Sequence, residues 1–380
     1  MPKTNSDDVY KKLAKHLDDL PAGFPETESG VELRILRHLF TTQEAALAVH
    51  LTLLFEKPKE IARRADAPVE ETQQRLEEMA SKGLIYSLYM TGRPPQFRAN
   101  MFVIGIWEFN VNNLHPALIR DMDEYMPTLL DVDTWRKVPQ LRTVPVGESL
   151  SVTHHIMPYE NAEKLVEAHK KFLVAPCICR REKQMMNDGC EKPVEACLVL
   201  GRAVDYYKRN QIGRVISREE ALDILKKADE AGLVLQPSNS KKIVNICCCC
   251  GCCCGVLRTI KNHPKPAIYV STPFIAQFER STCSVCETCI GRCQMDALCL
   301  GEEGIELDLD RCIGCGLCVT TCPTGSLTLV RKPESSQKPV PENFVRTYIS
   351  LARARRKLNL MRLLRLWLKV KMRRMRSRKR

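Results

Sequence analysis

Two runs of cysteine sit back to back near the C-terminus of this 380-residue chain. Cys283, Cys286, Cys289 and Cys293 are spaced C-x2-C-x2-C-x3-C. Cys312, Cys315, Cys318 and Cys322 repeat that spacing, with Pro323 following at once. Thiolates at every third residue of a tight loop converge on a soft metal centre, and a fourth donor from elsewhere completes a cubane. Gly314 and Gly316 let the second loop pass close to such a centre with backbone N–H groups turned inward. Structural zinc also takes paired CxxC thiolates, but it needs neither the third step nor the closing Cys-Pro.

Residues 275–330 resemble the bacterial-type dicluster ferredoxins on these motifs. The resemblance implies two [4Fe–4S] clusters and one-electron transfer. In that arrangement the fourth cysteine of each run ligates the other cluster. Cluster one would then take Cys283, Cys286, Cys289 and Cys322, and cluster two Cys312, Cys315, Cys318 and Cys293.

A second concentration of cysteine lies mid-chain. Pro176-Cys177-Ile178-Cys179-Arg180-Arg181 opens it, Cys190 and Cys197 follow, and Cys247–Cys250 and Cys252–Cys254 close it. Adjacent cysteines on an extended segment point opposite ways, so one site uses only part of the block. Cys247, Cys250, Cys253 and Cys254 are the candidate ligands there, with Cys177, Cys179, Cys190 and Cys197 to complete a site. The donor set suits one or more further iron–sulfur clusters, with zinc as the alternative metal. Arg180 and Arg181 would offset the charge of a thiolate cluster and raise its potential. The arrangement resembles ferredoxin-type proteins of anaerobes that carry a PCxCR opening and a Cys-dense block before a dicluster ferredoxin. That likeness implies an arrangement rather than a chemistry, and an anaerobic or microaerobic setting. Cys299, in the apolar run Ala297–Leu300, is predicted to be a buried thiol outside the cluster spacing.

These sites need elements to hold them. The length suits two or three domains. Residues 1–110 read as a winged-helix-like unit. Helices are predicted over Val31–Phe40, Thr42–Phe55, Lys59–Ala65 and Val69–Lys82, with Gly83 as a C-cap. Strands Leu84–Met90 and Phe97–Ile106 would form the wing about a Gly92-Arg93-Pro94-Pro95 turn. Glu70, Glu71, Glu77 and Glu78 outnumber Arg75 and Lys82 on the helix that would enter a groove. That balance disfavours specific DNA binding, because phosphate neutralisation supplies most of its affinity. Residues 111–145 read as a helical connector and 146–270 as a Cys-rich α/β middle module. The middle module is predicted to hold a helix over Pro158–Phe172, a helical stretch Leu198–Tyr207, a strand Lys242–Ile246, and a helix Arg218–Ala231 capped by Ser217 with Glu220 at the capping-box position. His154 and His155 fit a surface or capping role better than a ligand pair. The dicluster domain spans 275–331, a Pro-rich linker 332–343 and a basic amphipathic tail 344–380. The fold class expected is α+β, multidomain.

Twenty cysteines are about 5% of the chain, below the density of small disulfide scaffolds. The start MPKTNSDD carries no secretory pattern and no apolar run reaches about 18 residues, so a reducing cytoplasm is expected. The formal charge of +13 is a tail property. Fourteen of the 58 basic residues and none of the 45 acidic ones fall in 351–380, which leaves 44 basic against 45 acidic before it. Leu360, Leu363, Leu364, Trp367 and Val370 recur at helical spacing against Arg362, Arg365, Lys369, Arg373 and Arg376. Such a helix would lie on an anionic membrane surface, placing the chain peripherally on the inner face; an acidic protein partner or nucleic acid are the other occupants.

No GxGxxG unit, Walker loop or nucleophile elbow is present, so nothing supports a nicotinamide, flavin or acyl-transfer site. The expectation is an electron-transfer protein feeding a redox partner. The alternatives are an iron–sulfur sensor regulating transcription and a reductase with its active site at the mid-chain cysteines.

Overall fold

A computed structural model describes residues 6–149 and 156–357. The chain begins with five helices, α1 (Ser6–Asp18), α2 (Val31–Leu39), α3 (Thr42–Ala48), α4 (Pro58–Ala65) and α5 (Val69–Ser81). An antiparallel hairpin follows, β1 (Ile85–Met90) with β2 (Arg93–Ala99). Local chemistry explains these starts and stops. Thr41 Oγ1 accepts from Glu44 N while the Glu44 carboxylate accepts from Thr41 N, a reciprocal cap on α3. Pro58 opens α4, where a missing N–H costs nothing. Helix α5 buries Thr72, Leu76, Met79 and Ala80 at helical spacing.

The hairpin differs from its predicted form. Gly92, at φ 70°, makes the turn, while Arg93, Pro94 and Pro95 belong to β2. The second strand stops at Ala99, and residues 102–106 coil into the short α6 (Trp107–Phe109). Helices α7 (Pro116–Leu129) and α8 (Val132–Lys137) complete the N-terminal half, and Asp131 caps α8.

The middle of the chain is built on an antiparallel five-stranded sheet of order β5-β3-β4-β7-β6. Its strands are β3 (Phe172–Pro176), β4 (Glu195–Leu200), β5 (Arg214–Ile216), β6 (Val234–Pro237) and β7 (Asn245–Cys249). Around it lie α9 (Ala162–Glu167), α10 (Ile178–Met185), α11 (Ala203–Arg209), α12 (Arg218–Glu230) and α13 (Gly255–Lys261). Ser217 caps α12 through Glu220 N, at the predicted place. Three predictions shift. The helix expected over Pro158–Phe172 is only α9, because Phe172 opens a strand whose first four residues are buried. Leu198 belongs to β4, and the helix begins at Ala203. The strand expected at Lys242–Ile246 lies later, at β7. In each case pairing within the sheet overrides a local apolar pattern. His154 and His155 lie outside the described residues.

The C-terminal third carries two small antiparallel pairs, β8 (Phe274–Phe278) with β11 (Leu327–Arg331) and β9 (Leu298–Gly301) with β10 (Gly304–Leu307). Helix α14 (Thr288–Arg292) lies between β8 and β9, and α15 (Phe344–Ala354) ends the described chain.

Successive residues of β3 and β4 feed two cores, as a pleated strand must. Leu173, Ala175 and Val199 join the N-terminal helices, Trp107 and Tyr125 in one. Phe172, Val174 and Leu198 join α12, Ile246 and the later Ile313 and Leu317 in the other. Packing therefore runs straight through residue 110. The Tyr206 hydroxyl donates to Ile85 O at 2.8 Å, and its ring stacks on Tyr86 at 4.2 Å.

The tail and its linker also depart from expectation. Residues 332–343 lie along the body, where Lys241 N donates to Pro341 O at 2.8 Å. Helix α15 buries Thr347, Tyr348, Leu351 and Ala352. Arg355 and Lys357 then reach Asp18 of α1 at 3.0 and 2.5 Å. Residues 344–357 are thus a docked helix end rather than part of a free basic tail. The predicted face from Leu360 through Arg376 lies outside the described residues.

Candidate metal centres

The eight cysteines of the C-terminal runs line two small cavities. The first is walled by Cys283, Cys286, Cys289 and Cys322, beside Ile305 and Leu327. The second is walled by Cys293, Cys312, Cys315 and Cys318, beside Gly314 and Gly316. Each cavity therefore draws three sulfurs from one run and one from the other. Backbone N–H groups point at these sulfurs: Val285 N to Cys283 at 3.4 Å, Ala297 N to Cys293 at 3.2 Å and Ala276 N to Cys312 at 3.4 Å. Such donors stabilise thiolate and inorganic sulfide charge. Gly314 at φ 62° has no room for a side chain, since a Cβ there would stand 2.2 Å from Phe274 O. Gly316 at φ 79° would meet Ser149 Oγ at 2.1 Å.

The two cavities differ in depth. Cys286 is exposed, whereas Cys312 is buried. Burial pushes the Cys315 thiol up to about 12 and holds Cys318 well above its ordinary value, with neighbouring thiols adding to the rise. Left to themselves these groups stay neutral; iron is what converts such thiols to thiolates. The donor set and the N–H groups around it fit [4Fe–4S] clusters. Cys299 corrects its prediction: it is exposed on the β9–β10 hairpin, opposite Glu306.

The eleven cysteines of the middle module fall into three groups. Cys190, Cys250, Cys252 and Cys253 bring their sulfurs within 4.8 Å of one another. Individual separations are 3.9 Å for Cys190–Cys250, 3.6 Å for Cys253–Cys190 and 3.7 Å for Cys252–Cys253. Four thiols at that spacing match a single tetrahedral ion such as zinc, and a cubane would take the same four once they open further apart. Arg180 is fully buried beside them, with Nη1 3.7 Å from Cys250 Sγ and Nη2 donating to Cys248 O at 2.8 Å. Arg181, expected to share that task, turns away to Asn112 Oδ1 at 3.1 Å.

The second group comprises Cys177, Cys179, Cys197, Cys247, Cys249 and Cys254, all lining a cavity of about 280 Å³. Strand register assembles it. Cys197 of β4 stands opposite Cys247 of β7, and Cys249 follows on the same face two residues later. Cys179 lies against Cys177 and Cys254, and Cys249 lies against Cys247 and Cys254. Cys248, facing the other way into the α12 core, is left as a structural thiol that burial pushes up to about 12.

The four-thiol group adjoins the C-terminal repeat. Gly251 N donates to Gln294 Oε1 at 2.8 Å, and Gln294 follows Cys293 in sequence. Arg292 reinforces the seam, bonding Asp229 at 2.8 Å and Glu230 O at 2.9 Å. Sequence reasoning had not singled out Cys249 or Cys252. The period of two from Cys247 marks Cys249; Cys252 sits in a turn, where no period speaks.

Residues 305–328 match the 4Fe-4S binding domain family. The chain is also 41% identical over 51 residues to one component of the Na(+)-translocating ferredoxin:NAD(+) oxidoreductase complex of Acetobacterium woodii. That likeness covers 13% of this chain and 15% of the relative. Cluster motifs, cavities and matches together define an iron–sulfur domain of ferredoxin type in an α+β chain. Electron transfer is the function class that this domain carries. Among the described residues no helix is long and apolar enough to cross a membrane.

Proposed function

We propose that the chain relays single electrons through two [4Fe–4S] clusters in its C-terminal repeat and a further cluster at Cys190, Cys250, Cys252 and Cys253, to a redox partner. The observation that carries this is the division of sulfurs into three neighbouring groups of four, with Gly251 bonded to the residue after Cys293. Exposed Cys286 opens cluster one to solvent and exposed Cys252 opens the mid-chain cluster, while cluster two lies inward. The relative is by name part of an oxidoreductase complex, and that likeness supports a protein as the electron partner. A cytoplasmic chain of an anaerobe, at most peripheral on the membrane, fits the clusters and the basic C-terminus.

The N-terminal unit, winged-helix-like in its helices and hairpin, serves as support and docking surface in this reading. The cations of α5 and its C-cap are engaged, Arg75 with Glu71 at 3.1 Å and Lys82 with Glu44 at 2.7 Å. A transcription-regulator role accordingly has less support.

The test is electron paramagnetic resonance of the anaerobically purified chain reduced with dithionite. Two interacting cluster signals and a third, separable one are expected. The Cys250→Ser, Cys253→Ser double variant should lose only the third. Zinc in place of iron at that site, or a spectrum unchanged by the double substitution, would contradict the relay.

A further inference from the structure

The six-thiol cavity is not absorbed by the relay. Strand β7 separates its cysteines from the four-thiol group, because Cys247 and Cys249 share one face while Cys250, Cys252 and Cys253 leave through the turn. The eleven sulfurs therefore cannot serve a single centre. Six thiols also exceed the four that a cubane takes.

The cavity does not end at the sulfurs. It runs on between the N-terminal hairpin and α15, past Trp107 to Tyr86, Tyr348 and Arg98. The far end carries Arg98, while Glu108, whose carboxyl accepts from Gly105 N, lines the same cavity toward the thiols. Arg98 is half-buried, and its buried Nε has no hydrogen-bond partner among the described residues. It lies over the rings of Phe55 and Tyr86 at 5.2 and 4.8 Å. Burial holds its pKa down, and the groups that act on its charge are the phenols of Tyr86, Tyr348 and Tyr206, with no carboxylate among them. An unpartnered buried N–H is costly, and the planar guanidinium fork matches a carboxylate.

We propose that this cavity is a second, separate site of the middle module: Cys177, Cys179, Cys197, Cys247, Cys249 and Cys254 hold an iron–sulfur group at one end, and Arg98 receives the carboxylate of a small, largely apolar organic acid at the other. The aromatic side chains between them contact the body of the acid, which brings it alongside the metal group. The proposal shares with the relay only the choice of iron as the metal.

The experiment uses the full chain assembled without oxygen, with benzoate as the probe and benzamide as its uncharged counterpart. Iron per chain should fall in the Cys179→Ser, Cys254→Ser double variant, while the repeat signals persist and report an intact fold. It should fall independently in the Cys250→Ser, Cys253→Ser variant. Calorimetry should show saturable benzoate binding by the parent. Arg98→Met should keep its iron and lose about tenfold or more of that affinity, as should benzamide with the parent. An unchanged iron content in the Cys179→Ser, Cys254→Ser variant would overturn the metal assignment. No benzoate binding by the parent, or equal binding by Arg98→Met, would overturn the anion assignment. Failure of the relay reading shows instead as missing repeat signals, which leaves benzoate binding untouched.

Discussion

The C-terminal repeat and the middle module both gather cysteine, by opposite means. In the repeat, spacing does the work: two tight loops each present three sulfurs, and one crossing donor closes each cavity. In the middle module the four-thiol group joins Cys190 to a turn sixty residues away, and the six-thiol group needs α10, β4, β7 and the start of α13. The first kind of site survives almost any scaffold that holds its two loops. The second exists only when the sheet has folded in register, since a one-residue slip would send Cys247 and Cys249 to the opposite face.

Substitutions can break that contrast. The largest effect is expected at the ligands of the C-terminal repeat. Cys322→Ser should abolish cluster one although it lies in the second run, and Cys315→Ser should abolish cluster two while cluster one stays detectable; each costs about four iron per chain by metal analysis. Both clusters surviving Cys315→Ser would show the pairing to be wrong. Cys190→Ser should next remove the mid-chain cluster alone, read as loss of its paramagnetic signal with the repeat signals intact.

Gly251→Ala sharpens the comparison at the seam. Its Cβ would stand 2.2 Å from Gln294 O, so loop or repeat must shift. A loss of about 1–3 kcal/mol in chemical denaturation is expected, with slower electron exchange between the middle and the repeat.

Asp18→Asn acts far from both regions and should cost about 1–2 kcal/mol, because it undocks the end of α15. Burial alone would raise the Asp18 carboxyl. Hydrogen bonds from Lys357 and Phe24 N, with the charges of Lys357 and Arg355, outweigh burial and hold it below its usual 3.8. A carboxyl depressed in the folded state contributes stability above its unfolded pKa and loses it as pH falls through the folded one. The difference in Tm between parent and Asp18→Asn should therefore be full at pH 6 and shrink below about pH 4. Cys299→Ser, on an exposed hairpin, should leave iron content unchanged and stability within about 0.5 kcal/mol.

Legibility in the sequence follows the same division. The repeat could be read because its ligands are local in sequence and its glycines sit where backbone must approach sulfur. Helix α12 was equally plain, since Ser217 and the apolar spacing act within one turn. The middle site was only half legible: the cysteines announce metal, but Cys248 and Cys249 are told apart by strand parity, and Cys190 by a fold no spacing reveals. The tail misled for a related reason. Arg355 and Lys357 count as free cations in any tally of charge, while their partner Asp18 lies more than 330 residues earlier.

The measurement that bears most directly on the account is iron and acid-labile sulfide per chain, with zinc determined alongside, on protein purified without oxygen. The account predicts about twelve or more of each, which places iron in the middle module as well as the repeat. About eight of each, or zinc in the middle module, would contradict it.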